Sequence, residues 1–116
     1  MAKHFKLQPI QSIEGKPIQV FDEDSKQPRD GNLIDLLKLF IRAFPRDRMT
    51  MDNVTHGSRL MNQLMAVNDE LVIEEAEHDW VKKLLNEDNI GPKIFGFNLV
   101  NVLEALDQFE RRINDT

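Results

Sequence analysis

Cysteine is missing from all 116 residues, which excludes disulfides, thiolate nucleophiles and cysteine-ligated zinc and leaves the redox compartment open. Only five glycines occur, scattered along the chain, and none of them builds a phosphate-cradling loop. Long apolar runs are lacking as well. The stretch MAKHFKLQPIQ holds no run of signal-peptide length, and no segment reaches the roughly 20 apolar residues of a spanning helix. These absences lead us to expect a cytoplasmic protein with no membrane partner. Excess positive charge is absent too: the formal net charge is −5 and the isoelectric point about 5.1, which disfavours nucleic acid and anionic membranes.

What remains is ordinary globular material, 41% hydrophobic and 30% charged, of a length that supports one core. Residues 1–116 are therefore expected to form a single α+β domain. In HFKLQPI, Phe5 and Leu7 alternate with Lys6 and Gln8; EGKP supplies a turn; Ile18 and Val20 resume the alternation. This predicts a β-hairpin over 1–22, followed by a polar loop over 23–32. The remainder, 33–116, is expected to be mainly helical, with three to four helices and a short third strand. Asn32 can cap a helix carrying Leu33, Leu36, Leu37, Phe40 and Phe44 on one face, which Pro45 stops. A second helix is expected over 52–67, weakened near its start by Gly57. ELVI at 70–73 predicts a strand.

The stretch IEEAEHDWVKKLL at 73–85 is the most enzyme-like in the chain. On a helical wheel Ala76, Trp80, Val81, Leu84 and Leu85 form one apolar face, while Glu74, Glu75, His78, Lys82 and Lys83 lie off it. Acids in the first turn and lysines in the last suit the helix dipole, so stability accounts for the charges without chemistry. Glu77 falls inside the apolar arc, where a capping-box role is expected. Glu74, Glu77 and His78 thus form a polar cluster, and Glu74 and His78 stand one turn apart as a metal could use them. No further ligand is marked by spacing, and no metal or cofactor is indicated.

Other chemical patterns are incomplete. Asp22 and Asp24 match the first and third places of a calcium loop, but Lys26, Gln27 and Leu33 occupy the remaining key places. His56-Gly57-Ser58 lacks the second glycine of a nucleophile elbow. Arg42, Arg46 and Arg48 are the densest basic region, yet no basic helix or stacking platform accompanies them. No small-molecule substrate is indicated, and the chain is read as not an enzyme.

After Gly91-Pro92, FNLVNVLEALDQFERRI repeats Phe95, Leu99, Val102, Leu106, Phe109 and Ile113 at steps of four and three, the seam of a packed helix. Val100 and Leu103 widen it. Inner positions are expected in the core and outer ones at a protein interface. Met49, Met51, Met61 and Met65 cluster around the second helix, as adaptable packing or a pliable surface.

The order of EGKP at 14–17, a helix from Asn32, ELVI at 70–73 leading into a helix, and Gly91-Pro92 before a last helix with VLEAL at 102–106 resembles small proteins encoded by tailed bacteriophages and prophages. The likeness extends over almost the whole chain and rests on turn and packing residues. It implies a phage origin and an α+β domain, and carries over no catalytic residues. Two functions follow from it. One is a non-enzymatic interaction protein that binds a host or phage protein and modulates it in the host cytoplasm. The other is a structural or assembly component of the virion, acting as a homo-oligomer.

Overall fold

Asn32 marks where the polar N-terminal third gives way to helices. In a computed structural model, which describes residues 2–67 and 70–110, its side chain accepts from the Asp35 N–H and the Asp35 carboxylate accepts from the Asn32 N–H. This reciprocal box starts α1 (Leu33–Arg42), whose Leu33, Leu36, Leu37 and Phe40 are buried. The chain then makes a 3₁₀ turn at Arg46–Arg48, and Thr50 caps α2 (Met51–Met65) by accepting from Asn53 N–H. α2 buries Leu60 and Leu64.

The fold is α+β, with four short strands in two antiparallel pairs among the described residues. β1 (Lys3–Phe5) pairs with β4 (Leu71–Ile73), and β2 (Gln19–Asp22) pairs with β3 (Gln27–Asp30). The N-terminal turn is present: Gly15 takes φ +81°, Ser12 N–H bonds Lys16 O, and Gln11 bridges Pro17. The hairpin ladder, however, lies one turn later than the alternation suggests. β3 falls inside 23–32, the stretch expected to be loop, because the Asp22 carboxylate accepts from Asp24 N–H and the Ser25 hydroxyl while Lys26 adopts φ +58°. That local closure turns the chain back upon β2. β1 is thereby left for β4, with His4 opposite Val72.

β4 leads into α3 (Glu75–Leu85), and α4 (Gly91–Phe95) follows with Pro92 in its first turn. Gly91 passes so close to the end of α3 that a Cβ there would stand 1.9 Å from Leu85 O. The long final helix expected from the seam is broken. Gly96 takes φ +58°, a 3₁₀ turn intervenes, and α5 runs only from Leu99 to Asp107. Beyond α5, Glu110 N–H bonds His4 O at 2.8 Å, so the chain leaves the helix to run beside β1.

One cluster of buried apolar side chains joins these elements, with Phe5, Phe40, Leu60, Ile73, Val81 and Leu106 among its members. Each such side chain contributes roughly 1.5–3 kcal/mol when fully buried. No helix is long and apolar enough to cross a membrane among the described residues.

The box at the head of α1 has a pH signature. Burial pushes the Asp35 carboxyl up, but hydrogen bonds from Arg29 at 2.6 and 2.8 Å and from Asn32 N–H, with the charges of Arg29 and Lys38, hold it below its ordinary value. The unfolded chain therefore takes up the proton first as pH falls. The stabilisation is full above the ordinary carboxylate pKa of about 3.9 and is lost as pH drops through the lower folded value. Asp35→Asn is expected to cost on the order of 1 kcal/mol at neutral pH, a few degrees in Tm, and to melt with the wild type in strong acid. Equal melting at neutral pH would contradict this role.

Candidate functional site

A carboxylate inside an apolar helix face must find donors or stay out of the core. Glu77 is 2% exposed and finds two, both from α2: His56 Nδ1 lies 2.8 Å from Oε2, and Gln63 Nε2 donates to Oε1 at 2.8 Å. His56 and Gln63 stand two turns apart and share one face of α2. The Gln63 amide is used at both ends, because its oxygen accepts the Glu74 N–H at 3.0 Å. Glu74 is the exposed cap residue of α3 and lends that helix no side-chain cap bond. The capping box expected of Glu77 is thus replaced by a tie between helices, with Gln63 of α2 satisfying the backbone donor.

His78, expected off the apolar face, is 3% exposed. Its Nε2 lies 2.7 Å from Leu106 O and so carries the proton it donates, its ring stacks on Phe5 at 6.1 Å, and it meets Phe109 edge-on at 5.4 Å. It ties α3 to α5 as a core histidine. With Nε2 committed to a carbonyl, His78 and Glu74 are not offered together as ligands. No group of three metal-ligating side chains gathers among the described residues.

The described positions of the seam pack into the core. Phe95, Val102 and Leu106 are buried, while Leu99 and Phe109 are half-buried against the same cluster. Phe109 lies past the end of α5, beneath the Lys3 ammonium, which stands 3.9 Å from its ring centroid. Ile113 lies outside the described residues. Among the described residues, this end of the chain presents Phe97, 84% exposed, and Val100, 59% exposed, to solvent.

The tie to Glu77 shapes the other side of α2. Trp80, one turn after Glu77, is covered by Phe44 at 6.0 Å and by His56 at 5.8 Å, both nearly parallel to the indole. Its Nε1 donates to Asn53 Oδ1 at 2.9 Å, and Asn53 Nδ2 donates to Arg48 O at 2.6 Å. Gly57 passes the indole edge: a Cβ there would lie 3.6 Å from Trp80. Beside the indole opens a groove of about 280 Å³. It is lined by Ile41 and Phe44, by Met49 of the link, and by Val54, Ser58 and Met61 of α2. The four methionines divide accordingly: Met49 and Met61 line the groove, whereas Met51 and Met65 are exposed.

A second, larger cleft of about 620 Å³ separates the N-terminal segment from α5. Its walls are held by Asn101 Nδ2 donating to Gln11 O and by Ile13 N–H donating to Asn98 Oδ1. Those polar groups are spent on strapping the loop to the helix.

Comparison with protein-family models, with curated proteins and with solved structures gave no match.

Removing His56 leaves buried Glu77 with Gln63 as its one remaining side-chain donor among the described residues, and removing Glu77 takes the acceptor from both His56 Nδ1 and Gln63 Nε2. His56→Leu and Glu77→Leu are each expected to destabilise by about 1–3 kcal/mol. Since both remove one interaction, the double variant should cost clearly less than the sum, by roughly 0.5 kcal/mol or more in a denaturant cycle. Additive losses would show that the two side chains do not support each other.

Proposed function

We propose that the chain is a non-enzymatic interaction protein that binds another protein and modulates it, using the groove beside Trp80. The observation that carries this reading is the groove itself: an apolar concavity with Met49 54% and Val54 41% exposed on its margins. Methionine side chains are unbranched and polarisable, and surfaces built from them adapt to an incoming apolar group. Small-molecule sites usually run to about 300–1,000 Å³ with several convergent polar groups. This groove lies at the lower edge of that range, and its polar members Asn53 and Ser58 both come from α2, with the Asn53 amide already engaged at both ends. Its dimensions suit apolar anchor side chains of a partner. The resemblance to phage and prophage proteins makes that partner a host or phage protein.

A photo-crosslinking amino acid placed at Met61, and as a control at Asp24 in the exposed β2–β3 turn, tests the reading in bacterial cells. The expected result is a heterologous adduct from position 61 and none from position 24. A homodimer adduct from position 61 would favour the assembly reading instead, and the same adducts from both positions would overturn the role of the groove.

A further inference from the structure

The two edges of the β2–β3 hairpin are not alike. Gly31 N–H bonds Ile18 O at 2.6 Å, which makes Ile18 and Gly31 a hydrogen-bonded pair, and the ladder alternates from there. Val20 with Arg29 and Asp22 with Gln27 are therefore bonded pairs. Gln19 with Asp30 and Phe21 with Pro28 are not, so the backbone groups of those four residues point outward. On the outer side of β3, Pro28 has no N–H to offer, and Asp30 O accepts from Arg29 Nη1 at 3.3 Å. That edge is blunted. On the outer side of β2, Gln19 and Phe21 each present an N–H and a C=O, and none of these groups has a backbone partner among the described residues. The segment ahead of the first turn does not cover them, because Ile18 N–H bonds Ile10 O on the same side as β3. Gln19 is exposed and Phe21 is 65% exposed. Between them the edge carries neither proline nor charge, the usual guards against pairing.

We propose that this edge is a self-association site, at which β2 pairs antiparallel, about a two-fold axis, with β2 of a second copy of the chain. A two-stranded ribbon is marginal in water, and joining two of them builds a sheet ordered β3-β2-β2-β3. The register follows from where the outward groups lie. With Val20 facing Val20 of the copy, Gln19 of each chain stands opposite Phe21 of the other, and every such pair exchanges two hydrogen bonds. Sliding one way sets Phe21 against Pro17, which lacks an N–H; sliding the other sets Gln19 against Glu23, beyond the strand. The charges agree with this register. Asp22 falls opposite Ile18, and antiparallel pairing carries the acidic turns at Asp22, Glu23 and Asp24 to opposite ends of the ladder, where like charges do not meet. A foreign strand finds the same donors, but a second copy brings the matching arrangement, two outward residues around one neutral valine, by symmetry alone.

The chain has no cysteine, so a single introduced thiol reads the pairing without background. In the purified full chain, Val20→Cys is expected to form a covalent dimer on mild oxidation, because a non-hydrogen-bonded antiparallel pair brings its Cα atoms to about 4.5 Å, within disulfide reach. Phe21→Cys should react roughly ten-fold more slowly, since its two Cα atoms stand about 8 Å apart in the same register. Equal rates at the two positions, or a faster reaction at 21, would overturn the Val20-centred contact. No covalent dimer at either would overturn the second copy as occupant and leave the edge to a strand of another protein. Light scattering across concentrations reads the hydrogen bonds themselves. Phe21→Pro removes an N–H that the hairpin ladder does not use, and a dimer loses it twice by symmetry. Self-association should weaken about ten-fold or more, against a smaller loss for Phe21→Thr, which keeps the N–H. Melting curves check that both variants fold. Equal weakening by the two variants, or a wild-type chain that is monomeric at every concentration, would overturn the edge as the contact.

Discussion

Charge placed in a protein interior dictates what surrounds it, because an uncompensated carboxylate costs more than almost any packing contact returns. Glu77 lies among apolar neighbours on α3, and its donors come from a single face of α2, through His56 and Gln63. This contact fixes the rotation of α2 about its axis. With His56 and Gln63 turned toward α3, Leu60 and Leu64 reach the core, Gly57 lies at the indole edge, and Val54 and Met61 border open space. The groove follows from where the carboxylate is. Were α2 turned by one residue, a step of about 100°, the polar pair would leave Glu77 and the groove face would be lost with it.

The fold was legible where local signals agreed. Asn32 before an apolar run that Pro45 ends located α1 within a few residues, and the acid-first, lysine-last order of 73–85 located α3. It was illegible where pairing is non-local. Alternation at 3–7 shows that a strand can form there, but not that its partner is β4, nearly 70 residues later, instead of the nearer 18–21. The seam of the last helix misled for a related reason: the four-and-three spacing continues through Gly96 and past Asp107, where backbone conformation and pairing with β1 decide the path. Phe109 keeps its place against the core without being helical.

The polar cluster was half visible. A wheel places Glu77 inside an apolar arc, a sign that it needs partners, but the partners stand 21 and 14 residues earlier, and no short motif connects them. His78 read as solvated because a wheel knows one helix only, whereas α5 and Phe109 cover the face it occupies. The methionines near α2 could be counted, but their division into groove-lining Met49 and Met61 and exposed Met51 and Met65 depends on the rotation that Glu77 imposes. A functional surface built this way leaves no motif, since its parts are common residues brought together by one buried charge.

Hydrogen exchange on a Glu77→Leu variant tests this dependence most directly, because leucine satisfies the apolar arc while removing the acceptor that orients α2. Backbone amides of α2 should lose protection while those of α1 and α5 keep theirs, since both retain their own buried faces. Unchanged protection in α2, or an equal loss throughout the chain, would contradict the claim that this carboxylate sets the helix and its groove.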